Sequence, residues 1–226
     1  MSPSPPSDTQ SLDIRNTEYG IKAIIFDVGS VLIREADRTP REQAAARLGM
    51  TYDELVEAVF EHPASHQASL GGITTGALWA AIGQSLGLSP KETGWLYETF
   101  FAGNRVDDEL VELARSLRAS YTTAILSNAW DDLREVLENV WGIAGDFDHI
   151  IVSAEEGVVK PDPRIYHLTL ERMGVEPHEA VFIDDRSHNV AAAREVGIHS
   201  IHFESTEQAR SELFEILKTA QRATLP

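Results

Sequence analysis

The 226-residue chain contains no cysteine, and this absence excludes several kinds of site at once. Disulfide scaffolds, thiol nucleophiles and cysteine zinc sites are all ruled out. The eight histidines show neither HxH nor HExxH spacing, so we do not expect a histidine-based metal site either. The absence of cysteine gives only weak support for a reducing compartment.

Positive charge is scarce. The chain has 19 Lys and Arg against 36 Asp and Glu, which gives a formal net charge of −17. The basic footprint of a nucleic-acid-binding protein is missing, so we expect no nucleic-acid partner. This acidity is typical of a soluble surface. It also repels phosphate substrates at long range, so any phosphate site would have to be locally positive.

Long apolar runs are missing as well. None approaches the 18 residues of a membrane-spanning helix, so we expect no membrane partner. Residues 1–18 are polar, rich in Pro and Ser, and lack the apolar stretch of a signal peptide. We interpret them as a disordered tail, and we expect a cytoplasmic protein by default.

What the sequence does contain is a set of five short apolar runs rich in β-branched residues, which predict strands. These runs are KAIIFDV (22–28), TTAILS (122–127), DHIIVS (148–153), AVFIDD (180–185) and HSIHF (199–203). Most do not alternate with polar residues, as expected for parallel strands covered on both faces. Helical patterns at 131–142, 163–174 and 189–197 lie between the last four runs. This alternation predicts an α/β fold with a doubly wound parallel sheet.

A long insert separates the first predicted strand from the second. Its helical patterns fall at about 39–49, 51–62, 74–86, 89–102 and 107–119. The last helix returns the chain to the sheet, and the others predict an all-helical cap at 35–103. The core then comprises residues 19–34 and 104–226. Ligands bind beyond the carboxyl ends of strands in such sheets, so the cap would exclude water there and select substrates.

Residues with useful chemistry stand at or after the predicted strand ends. They are Asp27, Ser127, Asn128, Lys160, Asp184 and Asp185. Because the carboxyl ends of parallel strands meet at one rim, we expect these side chains to converge. Carboxylates together with a bound phosphate make an oxygen-rich site that suits Mg²⁺. Each also has a purely structural explanation, because Asp, Ser and Asn cap helices well.

Four segments, in this order and spacing, resemble the motifs of haloacid dehalogenase-like hydrolases that carry a helical cap after the first strand. They are IIFDVGSVL (24–32), TTAILSN (122–128), VVKPDPRIY (158–166) and AVFIDDRSHNVAAAREVGI (180–198). The resemblance covers residues 22–205. It implies a Rossmann-like core and a Mg²⁺-dependent phosphatase that acts on a small phosphorylated metabolite, similar to a sugar phosphate.

The resemblance also implies catalytic and substrate-binding residues. Asp27 would attack phosphorus and form an aspartyl-phosphate, a known route for carboxylate nucleophiles. Lys160 would bridge Asp27 and the phosphate. Ser127 and the backbone amide of Asn128 would hold phosphate oxygens.

The metal site is implied in the same way. Mg²⁺ would bind the carboxylate of Asp27, the backbone carbonyl of Gly29 and the carboxylate of Asp185. Asp184 and Asn189 would orient the groups around the metal or Lys160.

One position departs from the family pattern. Most phosphatases of this superfamily carry Asp two residues after the nucleophile, where it protonates the leaving group, and here that residue is Gly29. General acid help is typically worth roughly 10²–10⁴-fold in rate. Some sugar-phosphate phosphatases of the family also look like this. The candidate substitutes for the missing acid are His62, His66 and His188.

Two other functions stay open. A dehalogenase would use the same nucleophile on carbon, and those relatives also replace the phosphatase Asp. They need no metal, however, and tend to have Ser at the positions matching Asp184 and Asp185. The second alternative is a catalytically weak binding or regulatory protein of the same fold.

Two further sets of side chains are given structural roles. Trp79, Trp95, Tyr97, Phe100 and Phe101 are predicted to form the interior of the cap. The acidic residues within 131–138 are interpreted as a solvated helix face.

Overall fold

The computed structural model describes residues 20–223 and is built on a five-stranded parallel sheet. In chain order the strands are β1 (Ala23–Phe26), β2 (Ile33–Glu35), β3 (Asn104–Val106), β4 (Thr122–Ser127), β5 (His149–Val152), β6 (Ala180–Asp184) and β7 (His199–His202). The main sheet has the order β5-β4-β1-β6-β7, and every neighbouring pair is parallel. The predicted doubly wound parallel sheet is confirmed, while the predicted disordered tail lies outside the described residues.

Helices cover both faces of this sheet. They are α1 (Thr39–Arg47), α2 (Tyr52–Phe60), α3 (Pro63–Ser69), α4 (Thr75–Ser85), α5 (Pro90–Phe101), α6 (Asp108–Leu117), α7 (Leu133–Glu135), α8 (Ser153–Glu156), α9 (Pro163–Met173), α10 (Ser187–Val196) and α11 (Thr206–Ala223). Successive side chains of β1 point to opposite faces. Ile24 and Phe26 join the core under α6 and α11, and Ala23 and Ile25 join the core under α9 and α10. No helix within residues 20–223 is long and apolar enough to cross a membrane.

Helices α1–α5 form an insert, residues 36–103, between β2 and β3. The two short strands pair antiparallel and connect the insert to the rest of the chain. The insert has its own hydrophobic cluster, which includes Leu55, Leu78, Trp79, Leu96 and Phe100. The predicted aromatic interior is therefore confirmed for Trp79 and Phe100, whereas Trp95, Tyr97 and Phe101 are half-buried and pack against the cluster. Helix α3 was not predicted, because its sequence PASHQAS has no apolar periodicity.

The segment predicted as one helix at 131–142 is different in the structure. Only Leu133–Glu135 is α-helical, and Val136–Val140 continues as a wider π-helical turn. The acidic residues there are exposed, as expected of a solvated face, except that Asp132 is half-buried. Asp131 and Asp132 bond to residues of the insert, Thr75 and Tyr97 respectively.

Candidate active site

The predicted site residues lie together at the carboxyl edge of the sheet. Asp27 directly follows β1, the central strand, which pairs with β4 on one side and β6 on the other. Ser127 is the last residue of β4, Asp184 is the last residue of β6, and Asp185 follows it. Parallel strands in register end at one edge, so three neighbouring strands deliver these groups to one place.

Lys160 is at the centre of this group. Its ammonium is almost completely buried and donates to Asp27 Oδ1 at 2.7 Å, to Asp184 Oδ2 at 2.7 Å and to the Leu126 carbonyl at 2.9 Å. These three bonds satisfy the three donors of a lysine ammonium. Lys160 is therefore fixed against the carboxylate that the sequence predicts as the nucleophile.

Asp184 is completely buried, and N–H groups surround its carboxylate. Besides Lys160, it accepts from the Arg186 backbone N–H at 2.7 Å and from Asn189 Nδ2 at 3.1 Å. Asn189 Oδ1 has no hydrogen-bond partner among the described residues, although it is buried. The carboxylate of Asp184 is thus held by Lys160, Arg186 and Asn189, and the orienting role of Asp184 and Asn189 stays a prediction.

The carboxylates outnumber the ammonium. One oxygen from each of Asp27, Asp184 and Asp185 can be chosen so that all lie within 4.8 Å of one another. Among residues 20–223, only Lys160 is hydrogen-bonded to this group as a buried cation, so the charge of three ionised carboxylates is not balanced. Asp185 is half-buried, and its nearest described cation is the exposed Arg186, 3.7 Å away. The donor set is suited to a hard divalent cation such as Mg²⁺.

The ionisation of the site reflects this excess of negative charge. Burial raises the pKa of Asp27 to about 6, against the lowering effect of Lys160 and with a further increase from Asp184. Burial also raises the pKa of Asp185, and the charge of Asp184 adds to the effect. Burial alone would lower the pKa of Lys160, but Asp27 and Asp184 outweigh it, so that pKa is raised. Lys160 is therefore charged at neutral pH.

The turn after Asp27 leaves space at the position where the family carries an acid. A Cβ atom on Gly29 would meet nothing within 4 Å, and its φ lies outside the left-handed region. Ser30, the next residue, does have a left-handed backbone, with φ of 61°. The absence of an acid at Gly29 is therefore not imposed by crowding.

Ser127 and Asn128 are placed differently from each other. Ser127 is buried, with 4% of its surface exposed, and its hydroxyl makes no hydrogen bond to the described residues. The Asn128 side chain accepts from the Lys160 backbone N–H at 2.7 Å and donates to the Lys160 carbonyl at 2.8 Å. The predicted role for Asn128 uses its backbone amide, and the side-chain contact with Lys160 was not foreseen.

The histidines considered as substitute acids are not buried. His66 and His188 are exposed. His62 is half-buried and precedes α3, where its Nδ1 accepts from the Ala64 backbone N–H at 3.1 Å. Only Nε2 of His62 is therefore free to donate a proton.

A parallel sheet with an acidic centre at its carboxyl edge, and a helical insert after its first strand, defines a class of α/β hydrolase. The haloacid dehalogenase-like hydrolase model matches residues 21–197. This chain therefore belongs to the haloacid dehalogenase-like hydrolase family, as its motifs predicted, and it has the Rossmann-like core of that family.

Relatives with different activities are similar to this chain. The D-ribitol-5-phosphate phosphatase of Bacteroides thetaiotaomicron is 27% identical over 208 residues, which cover 88% of this chain and all of that protein. The (S)-2-haloacid dehalogenase of Xanthobacter autotrophicus is 30% identical over 190 residues, covering 78% and 72% of the two chains. The chain spans only 39% of the mouse bifunctional epoxide hydrolase 2 that it also matches.

A solved structure supports the same assignment. A haloacid dehalogenase family enzyme from Bacteroides thetaiotaomicron, in complex with magnesium and inorganic phosphate, superimposes with a TM-score of 0.69 at 26% identity. The match covers 86% of this chain and the whole of the other.

Proposed function

We propose that this chain is a Mg²⁺-dependent phosphatase that hydrolyses a small phosphorylated metabolite, similar to a sugar phosphate, through an aspartyl-phosphate on Asp27. The observation that carries the proposal is the excess of carboxylates around the single ammonium of Lys160. A buried excess of negative charge is costly unless a cation offsets it. The phosphatase relative and the solved complex with magnesium and phosphate support the same chemistry.

In this proposal, Asp27 is the nucleophile, and the other site residues bind the phosphoryl group. A carboxylate oxygen of Asp27 attacks phosphorus while the bond from phosphorus to the leaving oxygen breaks, and water later releases phosphate from the aspartyl-phosphate. Lys160 stays bonded to Asp27 and neutralises charge on the transferring phosphoryl group. The free hydroxyl of Ser127 and the backbone N–H of Asn128 hold phosphate oxygens.

The metal site in this proposal consists of Asp27, Asp185 and the backbone carbonyl of Gly29. Mg²⁺ bound there would offset the negative charge of the phosphoryl group and of the carboxylates. Asp184 is not assigned as a ligand, because N–H groups of Lys160, Arg186 and Asn189 already bond to it. The insert, whose predicted extent is 35–103, acts as a cap that selects the substrate.

A dehalogenase is the competing function, favoured by Gly29 and by the dehalogenase relative. That reaction needs no metal. Asp185 would then be an unbalanced carboxylate beside the nucleophile and would repel an anionic haloacid. Phosphate chemistry gives Asp185 a function, which is why we favour it.

The test is a panel of phosphorylated metabolites, assayed for released phosphate with and without Mg²⁺. We expect turnover only with Mg²⁺, and a loss of at least about a thousandfold in Asp27→Asn, since the covalent step is removed. Asp185→Ala should abolish Mg²⁺ binding measured by calorimetry. Asp53→Asn, which removes an exposed carboxylate of α2, is the control and should match the wild type.

Three results would contradict the proposal. Asp27→Asn retaining about a tenth of the activity would mean that Asp27 is not the nucleophile. Unchanged Mg²⁺ affinity in Asp185→Ala would exclude the proposed metal site. Halide release from 2-haloacids without Mg²⁺, and no phosphate release from the panel, would establish the dehalogenase instead.

A further inference from the structure

The loop that follows β4, residues Asn128–Asp132, touches both Lys160 and the insert, and we refer to it as the coupling loop. Its two ends make different contacts. The first two residues bond to core segments that border the candidate active site, and the last three contact helices of the insert.

The core end of the coupling loop is tightly held. Both polar atoms of the Asn128 amide are bonded to the backbone of Lys160, at 2.7 and 2.8 Å. The Ser153 hydroxyl accepts from the Ala129 N–H at 3.0 Å and donates to the Ala129 carbonyl at 3.1 Å. A displacement of this loop would therefore move the backbone of Lys160 or break these bonds.

The insert end is held by polar and aromatic contacts. Asp131 Oδ1 accepts from the Thr75 backbone N–H at 2.8 Å and from the Thr75 hydroxyl at 2.7 Å. Thr75 is the first residue of α4, where backbone N–H groups lack partners within the helix. Within the insert, the N-cap residue Thr74 accepts from the Ala77 N–H, and Asp131 adds from the core a partner for the first N–H of α4.

The residues on either side of Asp131 strengthen the contact. The Trp130 ring lies 6.1 Å from Trp79 and 6.3 Å from Phe60 and from Phe101, measured between ring centroids. Asp132 Oδ2 accepts from the Tyr97 hydroxyl at 3.3 Å. Three consecutive residues, 130–132, thus dock on the insert, and only Ala129 separates them from Asn128, whose backbone N–H is proposed to hold phosphate.

We propose that Asp131 is a positioning residue, which fixes the insert against the core and, through the coupling loop, holds Lys160 in place beside Asp27. The carboxylate acts through Thr75 on one side and through Asn128 on the other. It touches none of the reacting atoms. The kinetic part of this inference depends on the proposed phosphatase function, but the structural part does not.

The test compares two variants that each remove a side-chain cap from a helix of the insert. Asp131→Ala removes the cap of α4 that comes from the core. Thr51→Val removes the N-cap of α2, which bonds only to Glu54 within the insert. Both should lower the melting temperature, so a difference between them in the active site is not a general effect of lost stability.

Hydrogen exchange on the full-length protein gives a readout that needs no substrate. In Asp131→Ala we expect amides in 128–132 and in 158–162 to exchange at least about threefold faster, because the bonds between Asn128 and Lys160 open more often. In Thr51→Val the acceleration should be confined to the first turns of α2. Unchanged exchange at 158–162 in Asp131→Ala, or equal acceleration there in both variants, would overturn the inference.

The kinetic readout uses the best substrate from the phosphate panel. Asp131→Ala should lower kcat about fivefold or more with little change in KM, because a misplaced Lys160 weakens the transition state more than substrate binding. Asp131→Asn keeps an acceptor oxygen for Thr75 and should restore most of kcat. Thr75→Val is a milder change because it keeps the backbone N–H, so it should lower kcat less than Asp131→Ala does. In the double variant, Thr75→Val should lower kcat little further than Asp131→Ala alone. A kcat in Asp131→Ala equal to that of Thr51→Val would contradict the positioning role, whereas absent turnover in the wild type would contradict only the proposed phosphatase.

Discussion

At the scale of single residues, Gly29 has the clearest chemical consequence. Protonation by an acid at that position helps most when the departing oxygen is a strong base. Without it, we expect rates to fall steeply as the pKa of the leaving group rises, so aryl, acyl and anomeric phosphates should be better substrates than alkyl phosphates. The measurement is a series of phosphate esters with graded leaving-group pKa.

The matched variant is Gly29→Asp. A Cβ atom there meets nothing within 4 Å, so a side chain fits, and the backbone carbonyl stays available to Mg²⁺. The variant should accelerate alkyl phosphates more than aryl phosphates, although its added negative charge could weaken substrate binding. A flat leaving-group dependence in the wild type, with chemistry rate-limiting, would indicate another acid. His62, His66 and His188 would then be the residues to replace first.

The sequence predicted which residues would lie together in the site better than it predicted the hydrogen bonds between them. Ser127 and Asp184 end their strands and Asp27 directly follows β1, and the carboxyl ends of neighbouring parallel strands lie at one edge of the sheet. Their proximity therefore follows from apolar runs and motif spacing alone. The direction of the Asn128 side chain depends on the path of a loop 32 positions away in sequence, so no local pattern could reveal its contact with Lys160.

At the scale of elements, helices α4 and α5 pack closely at Gly83. A Cβ atom on Gly83 would lie 2.0 Å from Thr93 Oγ1 and 2.9 Å from its Cγ2. Gly83→Ala should therefore destabilise the protein by about 1–3 kcal/mol, as overpacking does. Gly94→Ala is the control, because Gly94 is an exposed position of α5 with nothing within 4 Å of its Cβ position.

The two glycine variants should change the free energy of unfolding in opposite directions. In an exposed helix interior, alanine is favoured over glycine by up to about 1 kcal/mol, so Gly94→Ala should raise the free energy of unfolding. Denaturant unfolding of both variants measures the difference. Equal effects at the two positions would mean that the close packing at Gly83 does not determine how α4 meets α5.

Elements were predictable where they are long and periodic. The α2 and α5 helices begin with capping boxes at Thr51–Glu54 and Ser89–Glu92, which are visible as local sequence signals. The strands β2 and β3 have three residues each, too few to show an alternation. The insert separates β2 from β3 in the sequence, so their pairing has no local signal. This is why the sequence predicted a helical insert but not the pair of antiparallel strands that joins it to the core.

At the scale of the whole molecule, negative charge on the surface and at the buried site has different consequences. The net charge of −17 is spread over a surface where water and salt screen it. Asp27 and Asp185 are wholly or partly removed from water, and this burial, together with the charge of Asp184, raises the pKa of both carboxyl groups and makes their ionised forms oppose folding. Metal binding should therefore change the stability of the whole protein, and its effect should depend on pH.

The pKa of Asp27 determines the direction and the size of the change in stability with pH. Its folded-state pKa of about 6 is above the ordinary aspartate pKa of 3.8, so the folded metal-free protein binds this proton more tightly than the unfolded chain. The stability from this proton is fully present below pH 3.8 and is lost as pH rises through about 6. Between pH 5 and pH 8 the loss should be about 1 kcal/mol.

Asp27→Asn does not titrate, so the unfolding free energy of the wild type minus that of the variant should fall by this amount in EDTA. With saturating Mg²⁺ the fall should be smaller or reversed, because a cation favours the ionised carboxylate. The comparison needs no substrate, and a difference that is constant with pH in EDTA would show that Asp27 is already ionised at pH 5 in the metal-free protein.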